Sequence, residues 1–371
     1  MDRTESMDGR PLQPTYKIPS LPPKFDCESK NILRELKNAH RWLAQLDGKA
    51  EIIPNQGILI DTLSLQEAAA SSEIENFVTT QDEIFQTNVS KQIYPSASAK
   101  EVALYGEALR HGFKGLSDKE GILTANCIIG MFQTLKRTTR GYRTSPGTVL
   151  KNDKTHEIVF VPPQIGGEIK RNMTALESFI NEPLPDEVDP LVAMAIIHHQ
   201  FESIHPFEDG NGRVGRIINV LYLCKMGYLR IPILYLSRYI MRNKAEYYRL
   251  LQAVRDEDRW EEWVLFILRG VSETSRETAT LISDMKMLMD AFKERLKDET
   301  KIYSHELVNN LFRHPYTRIE YVMEEVSVSR PTAGRYLDQL SDLGLLAKLS
   351  LGRNNYYVNT ELVKLLAKDN S

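Results

Sequence analysis

Between positions 205 and 216 the chain reads His-Pro-Phe-Glu-Asp-Gly-Asn-Gly-Arg-Val-Gly-Arg. One imidazole, two carboxylates, three glycines, an asparagine and two arginines stand within these twelve residues, a density that no hydrophobic core requires. Glycine and asparagine tolerate left-handed backbone and let successive N–H groups converge, so Gly210, Asn211 and Gly212 are expected to form an anion nest. Arg213 and Arg216 are three apart and share a helix face. Two cations at the positive end of a helix dipole are costly, and a bound polyanion reverses that cost. Asp209 offers the hard oxygen that a magnesium ion takes as ligand. His205, at the far rim, is placed to accept a proton from an incoming hydroxyl. The chemistry in view is that of a phosphate chain, a divalent cation and a base.

The elements around this stretch follow from apolar spacing. Leu191, Met194, Ala195, Ile197 and Phe201 recur at helical intervals, and the helix must stop near His205 because the residue before a proline is pushed out of the α region. A second helical pattern, Val214, Ile217, Ile218 and Leu221, ends at Gly227, a favourable residue just past a helix end. Residues 205–212 are therefore expected to be a loop feeding a helix N-terminus.

This stretch resembles the signature of the Fic family, His-x-Phe-x-(Asp/Glu)-Gly-Asn-Gly-Arg-x-x-Arg, with every specified position filled. The resemblance implies an enzyme, a nucleotidyltransferase of the protein adenylyltransferase type, moving AMP from ATP with Mg²⁺ to a hydroxyl side chain of a protein. It implies His205 as general base, Phe207 as the anchor of the loop in the core, and Asp209 as the metal ligand. Gly210, Asn211, Gly212, Arg213, Val214, Gly215 and Arg216 are implied to bind ATP, with Arg213 at the β-phosphate and Arg216 at the γ-phosphate.

Upstream, Ser71-Ser72-Glu73-Ile74-Glu75-Asn76 lies in an alanine-rich helical pattern over residues 65–85 and resembles the family's inhibitory motif, (Ser/Thr)-x-x-x-Glu-(Gly/Asn). Ser71, Glu75 and Asn76 fill it. The resemblance implies autoinhibition: Glu75 paired bidentately with Arg216 occupies the guanidinium that should hold the γ-phosphate, so Glu75 also belongs to the ATP site. Downstream, Tyr235 to Tyr248 resembles a family stretch in which Tyr239 and Asn243 face the nucleotide. Two β-rich runs around Asn152-Asp153-Lys154-Thr155, closed by Pro162-Pro163, read as a hairpin. In family terms this is the flap, about 144–163, along which a target protein docks by strand addition.

The 371 residues suffice for two or three domains, and their 42% apolar and 26% charged content is that of an ordinary globular protein. A net charge of −3 gives no bulk attraction to nucleic acid or an acidic membrane. Cys27, Cys127 and Cys224 form no pair or zinc spacing, and the start has no apolar signal segment, so a cytoplasmic location without membrane insertion is expected. The prolines up to about residue 25 predict an extended arm, and Asp26 a helix N-cap before Ile32, Leu36 and Leu43. The charged run 293–301 marks a boundary. Beyond it three helices and a two-stranded wing, with Ser329 as N-cap and Gly344 as a stop, resemble a winged-helix domain. Arg330, Thr332, Arg335 and Arg353 are the groups DNA contact would use, but acids and bases balance there and DNA is not the favoured partner.

The expected fold is mainly α: an N-terminal helical region (1–110), a Fic-type helical core with a β-hairpin flap (111–295), and a C-terminal winged-helix, α+β domain (300–371). Two other functions stay open, a nucleotide-sensing transcription regulator and removal of AMP from the same site. Self-modification and a homodimer are compatible with the family.

Overall fold

The computed structural model describes residues 13–80, 82–84, 94–152, 155–351 and 354–368. Its frame is a pair of long helices. In α1 (Lys30–Ala50) the buried residues Ile32, Leu36, Ala39, Leu43, Leu46 and Ala50 alternate at four and three residues, the spacing that keeps one stripe on a partner helix. That partner is α10 (Trp260–Glu299), whose own stripe runs from Trp263 to Leu296. Ser29 caps α1, its hydroxyl accepting from the Ile32 amide at 3.3 Å. Asp26, expected in that role, instead accepts from the Glu28 amide at 3.0 Å, before the helix begins.

Against this frame lie α2 (Gly57–Ile74), α3 (Ala97–Asp118), α4 (Ala125–Lys136), α5 (Gly166–Asn181), α6 (Pro190–Ile204), α7 (Asn211–Lys225), α8 (Leu236–Arg242) and α9 (Lys244–Glu257). Every residue of α6 after Pro190 is buried, and so are all but a few of α7. Helices apolar all round belong in the centre, and this antiparallel pair is the centre. Asp189 caps α6 through the Leu191 amide, 2.8 Å, and is itself held by His40 Nε2, 2.8 Å away. Helix α3 runs unbroken past residue 110.

The expected hairpin is present as β1 (Leu150–Lys151) paired antiparallel with β2 (Ile158–Phe160), Leu150 opposite Phe160. Its turn residues Asp153 and Lys154 fall outside the described residues. The arm of residues 13–29 lies on the surface beside it. The Thr15 amide donates to the Val161 carbonyl at 3.0 Å, Gln200 donates to the Pro19 carbonyl at 3.0 Å, and Phe25 stacks on Trp260.

After α10 come α11 (His305–Arg313), β3 (Tyr316–Thr317), α12 (Ile319–Val326), α13 (Arg330–Asp342), β4 (Ala347–Leu351), β5 (Asn354–Val358) and α14 (Thr360–Lys368). The sheet has three strands in the order β3-β5-β4, one more than the expected wing, and α14 was not anticipated. Arg353 lies outside the described residues. This unit meets α2 through Arg313 Nε, 2.6 Å from Asp61, and the segment beyond α2 through the Tyr316 hydroxyl donating to Asp82. Among the described residues no helix is long and apolar enough to cross a membrane.

Candidate active site

The turn between α6 and α7 is built by its own side chains. Helix α6 ends on His205 in the left-handed region, φ 49°, a conformation that costs an L-residue about 1–2 kcal/mol. Phe207 drops into the core, fully buried and stacked on Phe132 with ring centroids 4.1 Å apart. Asn211 closes the loop over it. Its Oδ1 accepts from the Phe207 amide and its Nδ2 donates to the Phe207 carbonyl, both at 2.9 Å. The Asn211 side chain is thus consumed by the loop, which leaves its backbone for a ligand.

Helix α7 begins at Asn211, so the loop is 205–210, shorter than expected. Only Gly210 of the two nest glycines has positive φ, 79°. Gly212 is helical, and space makes it glycine: a Cβ there would stand 2.4 Å from Glu75 Oε1 and 3.0 Å from the Arg216 guanidinium. Val214 is wholly buried and its amide already donates to the Gly210 carbonyl. A Cβ on Gly215 would stand 2.7 Å from Glu202, so its role is the close approach of α7 to α6.

Both arginines are almost fully buried, and both meet the turn that follows α2. Arg216 Nε donates to Ser71 Oγ at 2.8 Å, and its NH2 donates to the Ser71 carbonyl at 2.9 Å and to Glu75 Oε1 at 2.8 Å. The expected bidentate pair with Glu75 is therefore a single-oxygen contact. The reason is that Ser71 takes two of the guanidinium's bonds. Burial disfavours the Arg216 charge, but Glu75 outweighs it and raises the guanidinium's pKa. Arg213 donates to Glu101 on α3, with the Phe77 ring 5.2 Å from its Cζ.

Helix α2, which bears Ser71 and leads into Glu75 and Asn76, spans Gly57–Ile74, starting earlier and stopping earlier than the expected 65–85. Phe85 is outside the described residues. Glu75 is the residue at the helix end, and Asn76 follows at φ 65°. The Asn76 amide donates to Glu73 O at 2.9 Å and the Phe77 amide to Ser72 O at 3.0 Å. This is a Schellman turn, which needs Gly or Asn at its left-handed position. Chain reversal there aims Glu75 at Arg216 and lays Phe77 on Arg213.

Around the rim, Asp209 Oδ1 accepts from the Gly210 amide at 2.6 Å and Oδ2 contacts Lys136 Nζ at 2.6 Å. Burial opposes its ionisation, but Lys136 prevails and the carboxyl's pKa is lowered. Burial, then Arg143 and Arg255, push the His205 imidazole down to about 3, against the opposing pull of the Glu202 carbonyl and Asp209. That shift favours the neutral ring, the form able to accept a proton. Burial raises the Glu202 carboxyl to about 7, with Arg216 working against it.

The positions expected to face the base or ribose are not brought to the loop by any contact. Tyr239 packs on Phe266 at 5.0 Å and against Gly270, and the Asn243 amide donates to the Tyr239 carbonyl at 2.9 Å. Their neighbour Lys244 does reach Asn76, at 3.1 Å. Four residues that sequence reasoning missed complete the site: Lys136, Arg143, Glu101 and Phe77. Arg143 is the strap. Its amide donates to Pro206 O at 2.8 Å, its Nε to His205 O at 2.8 Å, and its NH2 to Pro163 O beyond the flap. No local pattern marks such residues, because their partners lie far away in sequence.

Three family models match the chain in series. A Fic/DOC family N-terminal model covers residues 33–114, a Fic/DOC family model residues 123–223, and a model described as the C-terminal domain of SoFic-like protein adenylyltransferase residues 288–362. A probable protein adenylyltransferase of Aquifex aeolicus is 23% identical over 257 residues, 66% of this chain and 72% of that one. A protein adenylyltransferase Fic of Aedes aegypti is 32% identical over 98 residues, 26% of this chain. The match spans 18% of the length of that insect relative. Among solved structures, a Fic family protein of Desulfovibrio desulfuricans superposes with a TM-score of 0.56 at 18% identity, covering 94% of this chain and 98% of the other. A Fic domain containing signaling protein of Bacteroides thetaiotaomicron reaches 0.52 at 20% identity, covering 68% and 98%. At these identities the two superpositions speak for the fold.

Proposed function

The chain belongs to the Fic/DOC family, and from that premise we propose that it is a protein adenylyltransferase held in check by its own Glu75. One observation carries this reading: a carboxylate already sits where an anion should. Glu75 Oε1 lies against Gly212 at the head of α7 and 2.8 Å from Arg216, occupying the guanidinium as a terminal phosphate would.

With Glu75 withdrawn, the first-turn amides at Gly210, Asn211 and Gly212 cradle the α- and β-phosphates, Arg213 takes the β-phosphate and Arg216 the γ-phosphate. His205 removes the proton of a target hydroxyl. The oxygen then attacks the α-phosphorus in line, the bond to the bridging oxygen breaks, and pyrophosphate leaves while AMP stays on the target. Positioning and charge stabilisation supply the rate. Asp209 suits Mg²⁺: its carboxyl is held ionised and its side chain is 65% exposed at the loop rim. Such an ion takes most of its ligands from phosphates and water and would neutralise charge on the triphosphate.

The target is read as an extended segment along the flap, where Ile158 and Val159 are 49% and 44% exposed. The C-terminal unit is read as a winged helix that docks protein rather than DNA, since Arg330 pairs with Glu320 and Lys348 with Asp338 at 2.7 Å each. The test is incubation with α-labelled ATP and Mg²⁺, with and without cell lysate. Glu75→Gly is expected to raise covalent labelling at least tenfold or so, and His205→Ala in that background to abolish it, about a 10²–10⁴-fold effect for a lost general base. Label that persists without His205, or none in any variant, rejects the reading.

A further inference from the structure

Arg213 presents a problem for any phosphate that approaches it. Only 1% of its surface is exposed. One edge of the guanidinium donates to Glu101, its face lies under the Phe77 ring at 5.2 Å, and its Nε is buried without a hydrogen-bond partner among the described residues. NH2 is 3.7 Å from where a Cβ on Gly210 would be, so the group lies beside the nest yet turned to other partners. A buried guanidinium with a carboxylate on its edge and an aromatic ring on its face is already satisfied in both of the ways that arginine binds.

The two partners come from different places. Glu101 is on α3 and its side chain is 19% exposed. Phe77 is the residue that closes the Schellman turn, two after Glu75, through its amide on Ser72 O at 3.0 Å. Chain geometry therefore couples the arginines: the backbone cannot lift Glu75 off Arg216 without also moving the ring from Arg213.

Resting on the nucleotide-transfer reading above, we infer that the restraint is double: Glu101 and Phe77 withhold Arg213 from the β-phosphate while Glu75 withholds Arg216 from the γ-phosphate. Glu101 is thus a positioning residue, the carboxylate to which Arg213 returns when no nucleotide is bound. Nucleotide entry exchanges one anion for another on the same guanidinium. Because Phe77 travels with Glu75, a change that frees one arginine lowers the cost of freeing the other.

Equilibrium binding of ATP, ADP and AMP to the full chain with Mg²⁺, read by titration calorimetry, separates this from a structural role. Glu101→Gln and Phe77→Ala are each expected to tighten ADP and ATP by about 5- to 100-fold, the usual range for coupled sites. AMP has no β-phosphate and should bind unchanged. Glu101→Asp keeps the charge and should bind like the unaltered chain. Phe77→Ala removes no charge and carries the test if Glu101→Gln does not fold. Weaker ADP binding in Glu101→Gln would mean that Glu101 aims Arg213 at the phosphate, and overturns the inference. Unchanged ADP binding in both variants overturns it too. If Glu75→Gly itself binds no ATP, the nucleotide-transfer reading fails; if it does bind while Glu101→Gln and Phe77→Ala leave ADP unaffected, only the double restraint fails.

Discussion

Arg143 contacts no group expected to react, yet two of its donors hold the turn that carries His205 and a third reaches Pro163. Its amide holds Pro206, its Nε holds the His205 carbonyl, and its NH2 ties both to Pro163 behind the flap. Burial lowers its own pKa to about 10, a sign that the charge is kept there at some cost. His205 is in the left-handed region, a conformation its neighbours must enforce. Without the strap the imidazole can drift, and displacement of a base by about 1 Å costs on the order of 10²-fold in rate. Arg143→Met in the Glu75→Gly background is therefore expected to lower the transfer rate about 10- to 100-fold and leave ATP affinity within about twofold, because no phosphate group touches it. Single-turnover labelling beside calorimetry checks the split. A fall in affinity equal to the fall in rate would make Arg143 a binding group. The candidate site residues were legible as a run of types within twelve positions; Arg143 was not, because its partners are 20 to 63 residues away and nothing in Gly-Tyr-Arg-Thr marks them.

At the end of α2, one backbone angle decides where the Glu75 carboxylate points. Asn76 at φ 65° ends α2 and reverses the chain, and only Gly or Asn adopts that angle cheaply. Asn76→Gly should preserve the turn and the resting activity. Asn76→Ala places a Cβ in the left-handed region at about 1 kcal/mol or more, shifting the turn toward other conformations by roughly fivefold. Self-labelling should rise by about that factor in Asn76→Ala alone. Equal activity in the two variants, neither of which keeps the Asn76 Oδ1 that Lys244 reaches at 3.1 Å, would show that the left-handed angle does not decide where the carboxylate points. The boundaries of this helix were the poorest part of the sequence reading, and the cause is physical. Helix α2 is buried on nearly all sides, so its apolar residues trace no stripe from which an end could be read. The amphipathic helices α1 and α10 were legible for the opposite reason. Similarly Gly212 was expected for its φ and is required for its lack of a side chain beside Glu75, a long-range contact invisible to local pattern.

Across the whole molecule, the C-terminal unit grips the chain on both sides of Glu75, the residue proposed to restrain the site. Arg313, at the end of α11, is 2.6 Å from Asp61 in the first turns of α2, and the Tyr316 hydroxyl donates to Asp82 beyond its far end. Nothing in the sequence hinted that this unit touches α2, since Asp61 and Arg313 are 252 residues apart. Arg313 is 39% exposed and its partner 17%. A pair so placed contributes about 1 kcal/mol at most, because water screens it. Losing it could shift a two-state restraint by no more than about fivefold. Arg313→Ala is thus expected to raise self-labelling about two- to fivefold with little loss of thermal stability. The decisive comparison is with Glu75→Gly, where the carboxylate that α2 delivers is already gone. If the C-terminal unit acts through α2, the double variant labels no faster than Glu75→Gly alone. If the two gains multiply, Arg313 influences the site by another route and the grip on α2 is only packing.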